Sequence, residues 1–152
     1  MRYAILPHCT RMRCVAAHAL TIGVKICLLL SGIFNMNNKD RCIAYLQSYA
    51  RKGHIAVATI FADDIVLRDW KILVRGKAAT LAETERNFKS ADSIEITRLG
   101  LYENGDTVAA ELKIVVDGTI TLNVVDVIRF NAQGRIQAIR AYLGDSGVLG
   151  PR

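Results

Sequence analysis

Thr119-Ile120-Thr121-Leu122-Asn123-Val124-Val125-Asp126-Val127-Ile128-Arg129-Phe130 is the stretch on which the fold turns. It is rich in β-branched residues. The period-2 alternation of a strand puts Leu122, Val124, Asp126, Ile128 and Phe130 on one face, and Thr121, Asn123, Val125, Val127 and Arg129 on the other. Asp117-Gly118 precedes the stretch and Asn131-Ala132-Gln133-Gly134 follows it, each supplying glycine where a hairpin needs positive φ. The same pattern predicts further strands over Ser93–Tyr102, Thr107–Val116 and Arg135–Leu143, with Glu103-Asn104-Gly105-Asp106 as the remaining turn. Four consecutive strands joined by short turns make an antiparallel meander.

Upstream of the meander the apolar period lengthens. From Asn38 to Lys52, Ile43, Leu46 and Tyr49 recur at three-residue steps beside Cys42 and Tyr45, which predicts an amphipathic helix that Asn38 or Asp40 can cap and Gly53 ends. A second short helix is expected through Ile55, Ala58, Ile60 and Phe61, stopping at Ala62-Asp63-Asp64. A strand from Ile65 to Leu67 then leads into Arg68-Asp69-Trp70, and a thin apolar stripe of Leu81, Thr84 and Phe88 predicts a third helix over Ala78–Lys89. Helices grouped before a run of strands place the chain in the α+β class: an antiparallel sheet packed against N-terminal helices.

The 152 residues fit one domain. A hydrophobic content of 51% with only 2 prolines excludes an extended disordered or collagen-like chain. The formal charge of +6 is unevenly placed. Residues 1–35 hold four of the 20 basic side chains (Arg2, Arg11, Arg13, Lys25) and none of the 14 acidic ones, which leaves 16 against 14 on the remaining 117 residues. A body at +2 supports no polyanionic partner, and the small basic cluster Lys71, Arg75 and Lys77 lacks interleaved aromatics beyond Trp70, so nucleic acid is not expected.

Residues 1–35 read as a leader, 36–145 as the domain and 146–152 as a tail. In the leader, Arg11 and Arg13 precede an apolar run from Cys14 to Phe34, the order of a signal peptide or membrane anchor. His18 and Lys25 interrupt the run, a mid-bilayer lysine costs about 2.5–3.5 kcal/mol, and no A-x-A-like cleavage site precedes Met36. Two other readings are that Met36 is the natural start, and that the leader is a helix packing on the domain or a partner. Three of the four cysteines (Cys9, Cys14, Cys27) lie in this segment, so Cys42 has no partner for a disulfide within the body, as in a reducing compartment. The expectation is a cytoplasmic protein, or an exported one if the leader acts as a signal; a membrane contact requires the leader to be an anchor.

Asp126 breaks its strand pattern, being the one polar side chain on an apolar face. Such a carboxyl either pairs, or keeps its proton because desolvation disfavours the charged form, and a neutral carboxylic acid can donate a hydrogen bond. Asp69, at the end of a short strand beside the aromatic Trp70, is a candidate general base, although aspartates at strand ends are often plain surface residues. Tyr45, near the apolar side of the first helix, is a candidate donor that also suits a core position with its hydroxyl at the edge, and Tyr49 one turn on competes with it. His54 is the only histidine and Cys42 the only thiol after residue 35, so a Cys/His zinc site and a Ser-His-Asp or Cys-His arrangement find no support.

Two stretches carry a family resemblance. Ile60-Phe61-Ala62-Asp63-Asp64-Ile65-Val66-Leu67-Arg68-Asp69 and Val125-Asp126-Val127-Ile128-Arg129-Phe130-Asn131-Ala132-Gln133-Gly134-Arg135-Ile136, the latter continuing through Ile139-Arg140-Ala141-Tyr142-Leu143-Gly144, resemble the ketosteroid isomerase branch of the nuclear transport factor 2-like, or SnoaL-like, superfamily. The resemblance spans roughly residues 38–145. It implies a cone-shaped α+β fold, a homodimer through the outer face of the sheet, and an apolar pocket for a small-molecule ligand. It also implies cofactor-free proton transfer on an apolar carbonyl compound, as in an isomerase or cyclase, with Asp69 as base and with Tyr45 and a protonated Asp126 as donors to the substrate oxygen. A carboxylic acid held neutral by an apolar site is a known property of that family. A ligand-binding or dimerisation module of the same fold without chemistry is the rival.

The chain departs from the isomerase pattern at several points. Trp70 follows the base where proline is usual, the connection from Asp69 to Gly76 is about two residues shorter, and Thr84 stands where a supporting tyrosine is common. Placing Tyr45 assumes no gap through Lys52-Gly53-His54; a one-residue gap puts Leu46 there. Limonene-epoxide hydrolase, of the same fold, uses an Asp-Arg-Asp set, but two residues before Asp126 stands Val124, and the other aspartate falls near Ala141.

Overall fold

The computed structural model describes residues 36–144; the leader and the tail after Gly144 lie outside the described residues. Helix α1 is Asn38–Ala50 and α2 is His54–Ile60, followed by β1 (Phe61–Arg68), β2 (Leu73–Arg75), α3 (Lys77–Ser90), β3 (Ile94–Asn104), β4 (Thr107–Val116), β5 (Ile120–Phe130) and β6 (Ile136–Leu143). The sheet has six strands in the order β2-β1-β6-β5-β4-β3. It does not close, and its curvature makes one concave face on which the helices lie.

The meander β3 to β6 pairs antiparallel throughout. The sheet as a whole is mixed, because β1 joins β6 in parallel. Its strands meet only through the intervening α3 and the meander, as a parallel pair requires a long crossover. A register shift between Arg98 and Gly100 bulges β3 at Leu99, and the extra residue adds bend and twist to that strand.

Several local expectations are corrected. The cap of α1 is Asn37, whose side chain accepts from the Asp40 N–H at 2.8 Å, rather than Asn38 or Asp40. The second helix stops at Ile60, and β1 already begins at Phe61 and runs to Arg68 instead of covering only Ile65 to Leu67. Phe61 and Ala62 are buried against the core, and strand geometry gives Phe61 a partner in Ile136. The basic stretch before Gly76 contains β2, which folds back on β1 through a tight turn at Asp69–Ile72.

The core forms where α1 and α2 meet the concave face. Cys42 and Leu46 of α1, Val57 of α2, Phe61 and Ile65 of β1, Leu112 of β4, Ile128 and Phe130 of β5 and Ile136 of β6 are all buried. α1 lies against β3 and β4, and α3 against β1. α3 buries Thr80, Thr84 and Phe88, and its two threonines satisfy their hydroxyls on the carbonyls of Gly76 and Thr80 one turn back. Among the described residues no helix is long and apolar enough to cross a membrane.

Candidate functional site

The alternation of β5 aims Asp126 into the concavity between two buried hydrophobics, Val124 and Ile128. Directly opposite it in the ladder stand Ala110 on β4 and Ala141 on β6. With alanine on both sides the carboxyl has room and no polar neighbour across the strands. Its residue is 9% exposed. Among the described residues it takes part in no ion pair, and neither Arg129 nor Arg140 reaches it.

That carboxyl opens on a cavity of about 130 Å³. Tyr45, Leu46 and Tyr49 of α1 form one wall, and Thr84 and Asn87 of α3 another. Leu112, Ile114, Val124, Ile139 and Ala141 of the sheet form an apolar floor, and Leu67, Asp69 and Trp70 line the mouth. Tyr45, Asp69 and Asp126 therefore line one cavity, and so do Tyr49 and Leu46. Asp126 reaches it by strand parity, Tyr45 and Tyr49 by the four-residue repeat of one helix face, and Asp69 by standing just beyond the end of β1.

The electrostatics follow from burial. Desolvation, with the nearby Asp69 charge second, pushes the Asp126 carboxyl up from 3.8 to about 7, so a large share of it is protonated at neutral pH. Burial raises the Tyr45 hydroxyl well above its usual value, reinforced by Tyr49, Asp126 and Cys42, which leaves it a neutral donor. Tyr49 is also raised, chiefly by burial and then by Asp126 and Asp69, while its hydrogen bond from Asn87 acts the other way. The Cys42 thiol is pushed up to about 12 by burial and by Asp126, against a smaller opposing effect of Arg98, and stays a packed thiol.

Hydrogen bonds position two of these groups. The Asp69 Oδ1 accepts from the backbone N–H groups of Lys71 at 2.6 Å and Ile72 at 2.8 Å, and the Asp69 N–H donates to the Ile72 carbonyl at 3.1 Å. Its carboxyl is thus oriented by the β1–β2 turn. Tyr49 accepts from Asn87 Nδ2 at 3.0 Å, which leaves the phenol proton of Tyr49 available to another acceptor. The Tyr45 and Tyr49 rings meet edge-on with centroids 5.9 Å apart. Asn87 was not visible as a site residue in the sequence; the signal was its place three residues after Thr84, on the same helix face.

Val124 and Ala141 both line the cavity, so the positions that an epoxide hydrolase would fill with arginine and a second aspartate are apolar here. Among the described residues no group of three or more His, Cys, Asp or Glu side chains gathers as a metal site.

A family model described as a SnoaL-like domain matches residues 43–139. No curated protein matches the chain. Among solved structures, a candidate ketosteroid isomerase from Kribbella flavida DSM 17836 superposes with a TM-score of 0.65 at 14% identity, covering 76% of this chain and 83% of its own. A candidate polyketide cyclase from Sinorhizobium meliloti gives a TM-score of 0.61 at 18% identity over 70% of this chain and 99% of its own. An LEH-like epoxide hydrolase from M. tuberculosis gives 0.60 at 19% over 69% and 80%. At such identities the likeness establishes the fold.

Proposed function

Since the chain belongs to the SnoaL-like domain family, we propose that it is a small-molecule pocket protein that moves a proton on an apolar carbonyl compound without a cofactor, as an isomerase or cyclase does. The observation that carries this reading is the Asp126 carboxyl: buried, without an ion-pair partner among the described residues, and lining the same cavity as Asp69 and Tyr45. Asp69 takes the proton from the carbon next to the carbonyl. The enolate oxygen that results is held by the protonated Asp126 and the Tyr45 hydroxyl, two donors that are themselves buried, where such bonds are strongest. Asp69 then returns the proton to the same or another carbon. The names of the Kribbella and Sinorhizobium neighbours agree with this chemistry.

One observation favours a second reading. The Asp69 Oδ1 is engaged by two backbone N–H groups, as in an aspartate that only shapes a turn. On that reading the cavity binds an apolar ligand and no proton moves. The two are separated by following α-proton exchange of 4′-methylacetophenone in D2O by NMR. The catalytic reading expects exchange faster than in buffer, lowered about 10²-fold or more by Asp69→Asn with ligand binding retained. An exchange rate that Asp69→Asn leaves unchanged overturns it.

A homodimer through the outer face of the sheet belongs to the same proposal. Val125, 39% exposed beside Val127 on the face opposite Asp126, supplies apolar surface there.

A further inference from the structure

The helical side of the cavity carries a second polar pair beyond Tyr45. Tyr49 of α1 and Asn87 of α3 both line the cavity, and Asn87 Nδ2 donates to the Tyr49 oxygen at 3.0 Å. Packing fixes the phenol, whose ring meets Tyr45 and Phe88 edge-on with centroids 5.9 Å and 4.9 Å away. Tyr45 and Asp126 are buried, whereas Tyr49 is half-buried and Asn87 exposed. The first two therefore sit deep in the cavity and the second two nearer its opening, with Tyr49 one helical turn, about 6 Å, along α1 from Tyr45.

The bond between them exhausts neither side chain. Accepting from Asn87 leaves Tyr49 its own proton to donate, and donating through Nδ2 leaves Asn87 Oδ1 free to accept. Among the described residues neither side chain has a further hydrogen-bond partner; Ser90 Oγ donates only to the Asn87 backbone carbonyl. With the amide facing the other way, Tyr49 would donate to Oδ1, and Nδ2 and the phenol oxygen would remain: again one donor beside one acceptor. The Thr84 hydroxyl, one turn back on α3, is committed to the Thr80 carbonyl at 2.9 Å. Burial raises the Tyr49 phenol against the lowering effect of the Asn87 bond, and Asp126 and Asp69 add to the rise, so the proton stays in place. A donor and an acceptor side by side suit an uncharged group that does both, of which an alcohol hydroxyl is the smallest. A carboxylate could use the donor alone, and the Asp69 charge would repel it.

We propose that Tyr49 and Asn87 form a hydroxyl-recognising subsite in the outer part of the cavity, and that the ligand is a hydroxylated carbonyl compound: its carbonyl end lies inward at Asp126 and Tyr45 while its alcohol accepts from one member of the outer pair and donates to the other. This rests on the proposal that the cavity takes the carbonyl end of its ligand. Two polar points at different depths also fix which end of the ligand enters first.

Trp70 is the only tryptophan of the chain and lines the cavity, so its indole N–H is a single reporter there. The test titrates ¹⁵N-labelled protein with 3′- and 4′-(hydroxymethyl)acetophenone and with the 3′- and 4′-ethyl analogues of matching size, and follows that resonance. At least one alcohol is expected to bind about tenfold tighter than its ethyl analogue, because the ethyl group leaves the donor and the acceptor unpaired. Tyr49→Phe and Asn87→Leu should each reduce that ratio, and together they should remove it. Substitutions that merely loosened the contact of α1 with α3 would weaken alcohol and ethyl probes together and leave the ratio standing. Equal affinities in the unaltered protein, a ratio that survives the double substitution, or no response to any probe at millimolar concentration each overturn the subsite. Exchange of the α-protons in D2O, read on the same samples, keeps the two proposals apart. Alcohol preference without exchange retains the subsite and rejects proton transfer, and exchange without alcohol preference does the reverse.

Discussion

Asp126 and Ala141 face each other across β5 and β6, with Ala110 on the other side of Asp126 in β4. A carboxyl flanked by two methyl groups in the sheet has no cation to hold it ionised, and its charged form is disfavoured by desolvation. The same small neighbours leave the space into which a ligand oxygen can come. The site's acid is thus made by what surrounds the aspartate more than by any partner.

The first prediction concerns its titration. Followed by carboxyl-carbon NMR, Asp126 should titrate at about 7 instead of near 3.8. Asp69→Asn should lower the value only part of the way, because burial is the larger cause and the Asp69 charge the smaller. A value in the ordinary carboxylate range would remove the neutral donor from the mechanism.

Linkage turns that shift into a stability profile. The native state holds the Asp126 proton more tightly than the unfolded chain does, so its contribution is fully present below about 3.8 and is lost as pH rises to about 7. Over that window stability should fall by up to about 1.4 kcal/mol per pH unit from this group alone. Asp126→Asn should abolish the slope and leave the protein more stable above neutrality, as measured by urea denaturation across pH.

At Asp69 two substitutions should separate shape from charge. Asp69→Asn keeps an oxygen for the N–H groups of Lys71 and Ile72, whereas Asp69→Ala leaves both without their acceptor. Asp69→Ala should cost about 1–2 kcal/mol of stability and Asp69→Asn well under half of that, read by thermal or urea denaturation. Equal losses would mean that the turn does not depend on the side-chain oxygen.

Cys42 should be inert in the folded protein. It is 0% exposed and its thiol is pushed up to about 12, so almost no thiolate exists at pH 8. Iodoacetamide treatment followed by peptide mapping should leave Cys42 unmodified under native conditions and alkylate it in urea. Rapid native modification would mean that α1 opens readily from the core.

Gly134 closes the turn between β5 and β6 with φ +72, and a Cβ there would lie 2.5 Å from the Arg41 guanidinium carbon. Gly134→Ala should destabilise by about 1–2 kcal/mol through left-handed strain and the displacement of Arg41. Arg41→Ala combined with it should recover only the steric part.

The meander was legible because its strands alternate and its turns carry glycine, and both signals are local. Alternation predicts Thr107–Val116 to the residue, and the other three strands to within one or two. Parity alone also set Asp126 among Leu122, Val124, Ile128 and Phe130. Local signals failed where a long-range contact decided the state. Phe61 continues the apolar pattern of α2, but it becomes a strand residue because Ile136, 75 positions away, offers it a parallel edge. β2 is too short to show a pattern and exists because the Asp69 turn returns it to β1.

By itself, then, the sequence determined the order of helices and strands, the α+β class, and the one acidic residue that faces the apolar side of β5. Periodicity and turn chemistry are properties of adjacent residues, and they are written in the chain directly. Only the tertiary structure decided that Tyr45, Asp69 and Asp126 share a cavity, and that Arg68 stands beside Arg140 across β1 and β6. Those relations depend on the parallel joining of β1 to β6 and on the curvature that brings α1 over β3 and β4. Both arise from packing between segments far apart in the chain, which no local pattern encodes.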